Sequence, residues 1–314
     1  MEEKSYPQMR KEFQDLFFND ISLQLQNYED TRKKKLFLAM ATLIICVIIG
    51  LFILSASFVF MITTKNKEAD ICLQLGIAMF VLGGMLWTLI KKRFERSVKR
   101  EIMPIVCKCF GDLTWESSLY KGNKNIFLDS NLIKKYTFEE YDDIFSGTYC
   151  DVAFEMIESK FTKQQGKNQE TIFKGVIIKL DMNKRFNGNT VILPDAIGHA
   201  SPDSKLRHTT LEDVEFEKQF DVFTDDEVEA RYLITPSFME RLKNMRVAFA
   251  ASGVQCAFYG KYLLIGLKTN KDLFSLCSLV KPVNDAKQFF TMYEEIISII
   301  KLIDHFKLDR KIGL

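Results

Sequence analysis

The sequence predicts an α+β fold in two parts: a transmembrane helical hairpin near the N-terminus, then a cytosolic domain with a mainly antiparallel sheet and packed helices. Three observations carry this prediction. Two apolar blocks, residues 36 to about 63 and residues 71–90, contain no charged side chain and are separated by a short polar loop. From Gly147 onward the apolar pattern changes from helical spacing to alternation. Strand-like runs are then broken by helix-like ones without regular β-α alternation, which argues against a parallel sheet.

The first part follows from length. Roughly 20 apolar residues at 1.5 Å rise cross a hydrocarbon core about 30 Å thick. The second block fits that thickness, whereas the first exceeds it and must tilt or protrude. Orientation follows from the cationic residues. Arg32 to Lys35 precede the first block, and Lys91, Lys92, Arg93, Arg96, Lys99 and Arg100 follow the second. The loop holds Lys65 and Lys67, offset by Glu68 and Asp70. That asymmetry predicts a cytoplasmic (inner) membrane protein with both termini in the cytoplasm, and the bilayer as its first partner. A signal peptide is excluded by the length of the run and its late start. Within the blocks, Thr42, Cys46 and Gly50 recur every four residues and Gly76 and Gly83 lie seven apart. Small residues on one face predict close packing of the two helices on each other, or of one copy on another as a homo-oligomer. Gln74 is the one strongly polar side chain in the blocks. A pore lined by Thr42, Cys46 and Gln74 therefore ranks low, since ion pathways usually need ionisable groups at depth.

Composition limits the rest. The chain has 314 residues, 43 Lys and Arg, and 41 Asp and Glu. Beyond residue 100 the balance is slightly acidic, with no basic stripe for tracking phosphates, so nucleic acid is not an expected partner. The seven cysteines are scattered, and Cys107 and Cys109 stand too close for a zinc knuckle and lack a second pair. Neither a metal site nor a cofactor is predicted.

In chain order, residues 1–35 form a cytosolic amphipathic helix. Met9, Phe13, Leu16, Phe17, Ile21, Leu25 and Tyr28 recur at three and four residues, and no breaker separates them from the first span. Residues 36–90 are the hairpin. Residues 91–137 are a helical linker, with Phe94, Val98, Ile102 and Ile105 continuing the apolar face, Pro104 as a bend, and a short helix capped by Ser130 or Asn131. Residues 138–314 are the α+β domain. Cys150, Val152, Phe154 and Met156 mark a half-buried strand, and a polar turn over residues 162–170 leads to a central strand over residues 171–181, apolar on both faces. Asn187-Gly188 is read as a hairpin turn into a strand at residues 190–193. Residues 194–208 form a polar loop, residues 211–220 a short helix, and residues 221–223 a strand. Thr235-Pro236 starts a helix that Gly253 ends, followed by a hairpin around Tyr259-Gly260-Lys261 and a last helix from Asn284 or Asp285 to about Phe306.

Several stretches resemble one family, domain of unknown function 3137. They are Phe145-Ser-Gly-Thr-Tyr149, Phe173-Lys-Gly175, Phe186-Asn-Gly-Asn-Thr-Val191 and Leu211-Glu-Asp-x-x-Phe-Glu-Lys-x-Phe220. The longest is Asp225-x-x-Val-Glu-Ala-Arg-Tyr-Leu-x-Thr-Pro-x-Phe-Met-Glu-Arg-Leu242. The similarity runs from about Phe138 to the C-terminus and more loosely over the spans. The resemblance implies a bacterial protein with two N-terminal spans and no established activity, and a LemA-type envelope protein as a partner.

No catalytic motif is intact: the sequence has no phosphate-binding glycine loop, no His-Glu-x-x-His and no Gly-x-Ser-x-Gly. The densest polar cluster is Asp225, Asp226, Glu227, Glu229 and Arg231, with Glu240 and Arg241 on the next helix. Paired carboxylates there suit acid–base chemistry or a divalent cation. A capping and salt-bridge network is favoured over both, with Asp225 as the helix N-cap. His199 and His208 share the polar loop and are read as solvated; His305 lies on the last helix. The functional expectation is a membrane-anchored cytosolic binding or assembly module. The alternative is a membrane-bound enzyme acting on a lipid-linked or small soluble substrate through the acidic/Arg cluster.

Overall fold

A computed structural model describes residues 5–64, 67–149, 151–182, 184–194, 201–249, 251–271, 273–283 and 286–310. The chain divides into two compact units: Tyr6–Val106 with Ser275–Thr291, and Cys107–Phe274 with the chain from Met292 on. The fold is α+β, with long N-terminal helices and an antiparallel sheet carrying helices.

In the helical unit, α1 (Tyr6–Leu16) passes through one π-helical turn (Phe17–Ile21) into α2 (Ser22–Thr64). Met9, Phe13, Phe17, Ile21 and Leu25 are all buried, each four residues after the last. At 3.6 residues per turn every four-residue step overshoots by roughly 40°. The wider π turn, with its i→i+5 bonding, takes back part of that drift and keeps the five side chains on one face. Phe13 and Phe17 set their rings on Phe290 and Phe289 at the start of the last helix, with centroids 5.1–5.8 Å apart.

α2 and α3 (Lys67–Cys107) contain two segments long and apolar enough to cross a membrane. Most of their large apolar side chains point outward, among them Phe37, Ile48, Phe52 and Phe58 on α2 and Ile71, Val81 and Met85 on α3. The helices touch through small residues. A Cβ at Gly83 would stand 2.9 Å from that of Cys46, one at Gly50 2.8 Å from the Phe80 ring, and one at Gly76 2.7 Å from Leu54. Numbering rises on one helix as it falls on the other, so the pair is antiparallel.

Just outside the first apolar block, Arg32 is buried instead of facing lipid headgroups. Its guanidinium holds Glu29 through two bonds, Nε to Oε2 at 2.8 Å and Nη2 to Oε1 at 2.6 Å, and its Nη1 donates to the Leu279 carbonyl at 3.0 Å. Glu29 also accepts the Val283 N–H, and Glu95 of α3 accepts the Leu279 N–H. Residues 279–283 are thereby clasped by both helices.

In the sheet unit, a short 3₁₀ turn (Lys108–Phe110) precedes β1 (Thr114–Ser117) and the single-turn α4 (Ile126–Asp129). The expected helix over residues 130–136 is absent. The helix ends before it, because Asn131 takes a left-handed conformation at φ 59° that closes α4. Then come β2 (Phe138–Tyr149), β3 (Val152–Gln165), β4 (Asn168–Asp181), β5 (Thr190–Pro194) and β6 (Arg207–Thr209). α5 (Val214–Glu217), β7 (Phe220–Thr224), α6 (Glu227–Leu233), α7 (Pro236–Ala248), β8 (Gly253–Tyr259), β9 (Tyr262–Lys268) and α8 (Ala286–Arg310) complete the order. Cys150, His199 and the expected helix start at Asn284 or Asp285 lie outside the described residues.

The described strands form one sheet in the order β1-β2-β3-β4-β9-β8-β5-β7-β6, antiparallel throughout. β3 and β4 join through Gly166 and Lys167, a tighter turn than the sequence predicts. β4 is interior, and Val176, Ile177, Ile178 and Leu180 are fully buried. Asn187-Gly188 is not a hairpin turn: β5 pairs with β7 and β8, while β4 pairs with β3 and β9. Gly253 opens β8; α7 ends earlier, with Phe249 as its C-cap. On one sheet face, Ile144, Ile157, Phe161, Phe173, Ile177 and Leu264 pack under Tyr120, Phe127, Leu132 and Ile133. On the other, Phe258 meets Phe186 and Phe238 of α7, and Phe145 meets Phe274.

Two outcomes follow from this architecture. At Gly175 φ is +149°, and a Cβ would come within 1.9 Å of the Leu267 carbonyl oxygen. Gly175→Ala must therefore separate β4 from β9, and should cost more than about 2 kcal/mol in denaturant unfolding. Arg32 holds the Glu29 carboxyl down at about 2, from an ordinary 4.5. A lowered folded-state pKa stabilises above the unfolded value and is lost as pH falls through the folded one. The stability difference between the native chain and Glu29→Gln should therefore be full above pH 4.5 and vanish towards pH 2, read by unfolding at stepped pH.

Candidate functional site

The polar cluster resolves into a docking point between two chain segments. Glu229 on α6 turns its carboxylate to the backbone N–H groups of Asn187, at 2.9 and 3.0 Å, and Gly188, at 2.7 Å. Asp225 accepts the Asn189 N–H at 2.7 Å and returns its own N–H to the Asn189 carbonyl at 3.4 Å. Three consecutive amides are thus held by two carboxylates. Gly188 is required by space, since a Cβ there would stand 2.5 Å from Asp225 Oδ1. The N-cap of α6 is Asp226, one residue later than the sequence suggests: its carboxylate accepts the Glu229 N–H at 2.9 Å, leaving Asp225 for Asn189. Thr235 caps α7 as expected, accepting the Phe238 N–H at 3.2 Å, with Pro236 in the first turn. Arg231 and Glu240 are exposed, and Arg241 is half-buried. The side chains expected to converge therefore do not surround one reaction centre.

His208 is exposed, as expected, but it stands on a strand and not in the loop. It lies on β6, with Nε2 3.3 Å from the buried Asp221 carboxylate and its ring edge-on to Phe223. The side chain of His305 is outside the described set.

A second polar arrangement lies in the sheet unit, and sequence reasoning missed it. A groove of about 420 Å³ is lined by Ser146, Thr148, Glu155, Lys179, Asp181 and Tyr262 among others. Its residues come from β2, β3, β4 and β9, and cross-strand register brings Ser146, Glu155 and Lys179 side by side. Glu155 Oε2 accepts from both Tyr120 Oη and Lys179 Nζ at 3.0 Å. Lys179 also lies 4.7 Å from the Tyr262 ring centroid, and Lys261 bonds Asp181. Burial, then the Glu155 charge, push the Tyr120 hydroxyl pKa up, so it remains a neutral donor. Nearby, Glu139 accepts from Lys124 at 2.6 Å, Tyr136 at 2.9 Å and Tyr141 at 3.0 Å. Burial alone would raise the Glu139 pKa, but these three donors outweigh it and lower it. Burial and Glu139 push Tyr136 up to about 12 and raise Tyr141 as well. The available signal was a single lysine, Lys179, inside the otherwise apolar run Val176 to Leu180.

Among the described residues no group of three or more His, Cys, Asp or Glu side chains is placed to hold a metal ion. Cys46, Cys72, Cys107, Cys109, Cys256 and Cys277 form no disulfide. Burial pushes Cys107 up to about 12 and raises Cys256, so neither is a thiolate near neutrality.

Residues 171–308 match the model of a family described as protein of unknown function (DUF3137). The match starts within β4 and covers less than half of the chain; Phe145-Ser-Gly-Thr-Tyr149 and the spans lie outside it. No curated protein and no solved structure matches the chain. Within the DUF3137 segment, the two motifs Phe186 to Val191 and Asp225 to Leu242 are the ones joined by the carboxylate–amide bonds above. Glu229→Ala should therefore destabilise the chain by about 1.5–3 kcal/mol, the range for hydrogen bonds to a charged group. Arg231→Ala, at an exposed position, should stay within about 0.5 kcal/mol in the same thermal or denaturant unfolding.

Proposed function

We propose that the chain is a membrane-anchored binding or assembly module of the bacterial cytoplasmic membrane, with both termini and the sheet unit on the cytoplasmic side. The observation that carries the anchor is the outward-facing apolar belt of α2 and α3, where Phe37, Phe52 and Ile62 are at least two-thirds exposed. Such a belt would be an aggregation surface in water and is satisfied by acyl chains. Charge placement supports the orientation. Arg32 is consumed in its ion pair, but Lys33, Lys34, Lys92, Arg93, Arg96 and Arg100 remain exposed beyond the apolar blocks.

Binding is favoured over chemistry because the ionised side chains are already engaged. Asp225 and Glu229 hold backbone amides, and Glu155 is shared by Tyr120 and Lys179. A membrane-bound enzyme working through the acidic/Arg cluster has less support, since that cluster presents no acid and base facing a common cleft. The groove over Glu155 and Lys179 offers a polar floor with one aromatic wall, suited to contact with a small polar ligand or a partner segment.

Sodium carbonate washing of membranes from cells expressing the full chain is expected to leave it in the pellet. External protease should spare the sheet unit in intact spheroplasts and cleave it once they are permeabilised. Release by carbonate, or digestion in intact spheroplasts, would overturn the reading.

A further inference from the structure

We propose that the tip Val280-Lys281-Pro282 is a membrane-surface contact that inserts into the headgroup layer and takes an anionic phospholipid; the proposal rests on the anchoring above. The tip is exposed while both its flanks, Leu279 and Val283, are buried, and Val280 is among the exposed large apolar side chains of the chain. Its position is fixed by the bonds that pin those flanks. Leu279 offers its carbonyl to Arg32 on α2 and its N–H to Glu95 on α3, and Val283 donates to Glu29. All belong to one compact unit with the spans.

The depth follows from helix geometry. Arg32 lies four residues before the first apolar block, and Glu95 five residues after the second. At 1.5 Å per residue these are roughly 6 and 8 Å outside the apolar boundary. The headgroup region extends about 5–8 Å on each side of the hydrocarbon core. Two helices thus present the same loop at headgroup depth.

Charge selects the occupant. Glu29 and Glu95 turn inward, one held by Arg32 and both accepting backbone N–H groups from the loop. Lys281 is exposed, as are Lys33, Lys34 and Lys92 on the helices, with Asp30 the exposed acid on the same turn of α2. Among the described residues, the exposed cations on the tip and on the helix turns that hold it outnumber the exposed acid, which fits a phosphodiester surface better than a neutral one. Val280 supplies apolar contact below it, and Pro282 limits the entropy lost on insertion.

Val280→Trp tests this in the full chain, in a Trp87→Phe background so that Trp115 alone is the reference emission. The protein is reconstituted into phosphatidylcholine vesicles with or without phosphatidylglycerol, carrying bromine either near the glycerol end of the acyl chain or near its terminus. The expected result is loss of the position-280 emission with shallow bromine, a smaller loss with deep bromine, and a greater loss when phosphatidylglycerol is present. Lys281→Glu should remove the phosphatidylglycerol dependence while the chain stays carbonate-resistant. Unquenched emission in carbonate-resistant protein would overturn the inference and leave the anchor standing. Carbonate release of the parent would overturn both.

Discussion

The sheet depends on the ladder between β4 and β9. On one side of it stand β1 to β4 in chain order; on the other, β9, β8, β5, β7 and β6. Among the described residues no other strand pairing joins these halves, so the seven paired positions from Gly175 to Asp181 against Tyr262 to Lys268 join them. This is why β4 is apolar on both faces. From Val176 to Ile178 it is covered on each, and polar side chains there would be buried without water. It is also why Gly175 is glycine, since the Leu267 carbonyl occupies the space a side chain would need.

Carboxylates in this chain do the work of backbone partners. Asp213, Asp226 and Glu229 accept from main-chain amides in the DUF3137 segment, as do Glu29 and Glu95 in the helical unit. A loop amide that misses the sheet ladder still needs an acceptor, and an ionised carboxylate makes a stronger bond than a neutral one. The acidic residues that look like a catalytic cluster in the sequence are explained by that need. Asp225 and Glu229 take three amides between them, and Asp226 takes the helix N-terminus.

Much of the fold was legible where one periodicity repeats. The amphipathic N-terminal helix, the two apolar blocks, the buried strand β4 and the α7 helix starting at Thr235 follow from spacing and capping alone. The helix expected over residues 130–136 fails locally, at the left-handed Asn131, while other misses share a cause, which is pairing over long sequence distance. β2 carries Glu139, Glu140, Asp142 and Asp143, and no strand is predicted before Gly147, yet Asp143 is buried because Trp115, 28 residues earlier, donates its indole N–H at 2.8 Å. Asn187-Gly188 has the composition of a tight hairpin, but its amides go to Glu229, 41 and 42 residues away. Arg32 sits in a basic run and was read as part of a cationic collar; its partner Leu279 is 247 residues distant. Local pattern gives an element's type. Which acceptor a given amide or guanidinium finds is set by the closed fold.

The candidate site shows the same division. Asp225 and Glu229 act as clamps on backbone amides, Arg231 and Glu240 stay exposed, and the cap of α6 falls one residue later than the sequence suggests. Single-residue register was beyond the sequence because Asp225 and Asp226 are chemically equivalent there. What separates them is the position of Asn189, whose N–H needs an acceptor at the point where β5 begins beside β7. Asp225 meets that demand and Asp226 is left to start the helix. The same constraint binds Gly188, where a methyl group would displace the Asp225 carboxylate from Asn189. The glycine, the two acids and Glu229 therefore act as one unit, and a change at any of them is felt in the position of α6 against β5.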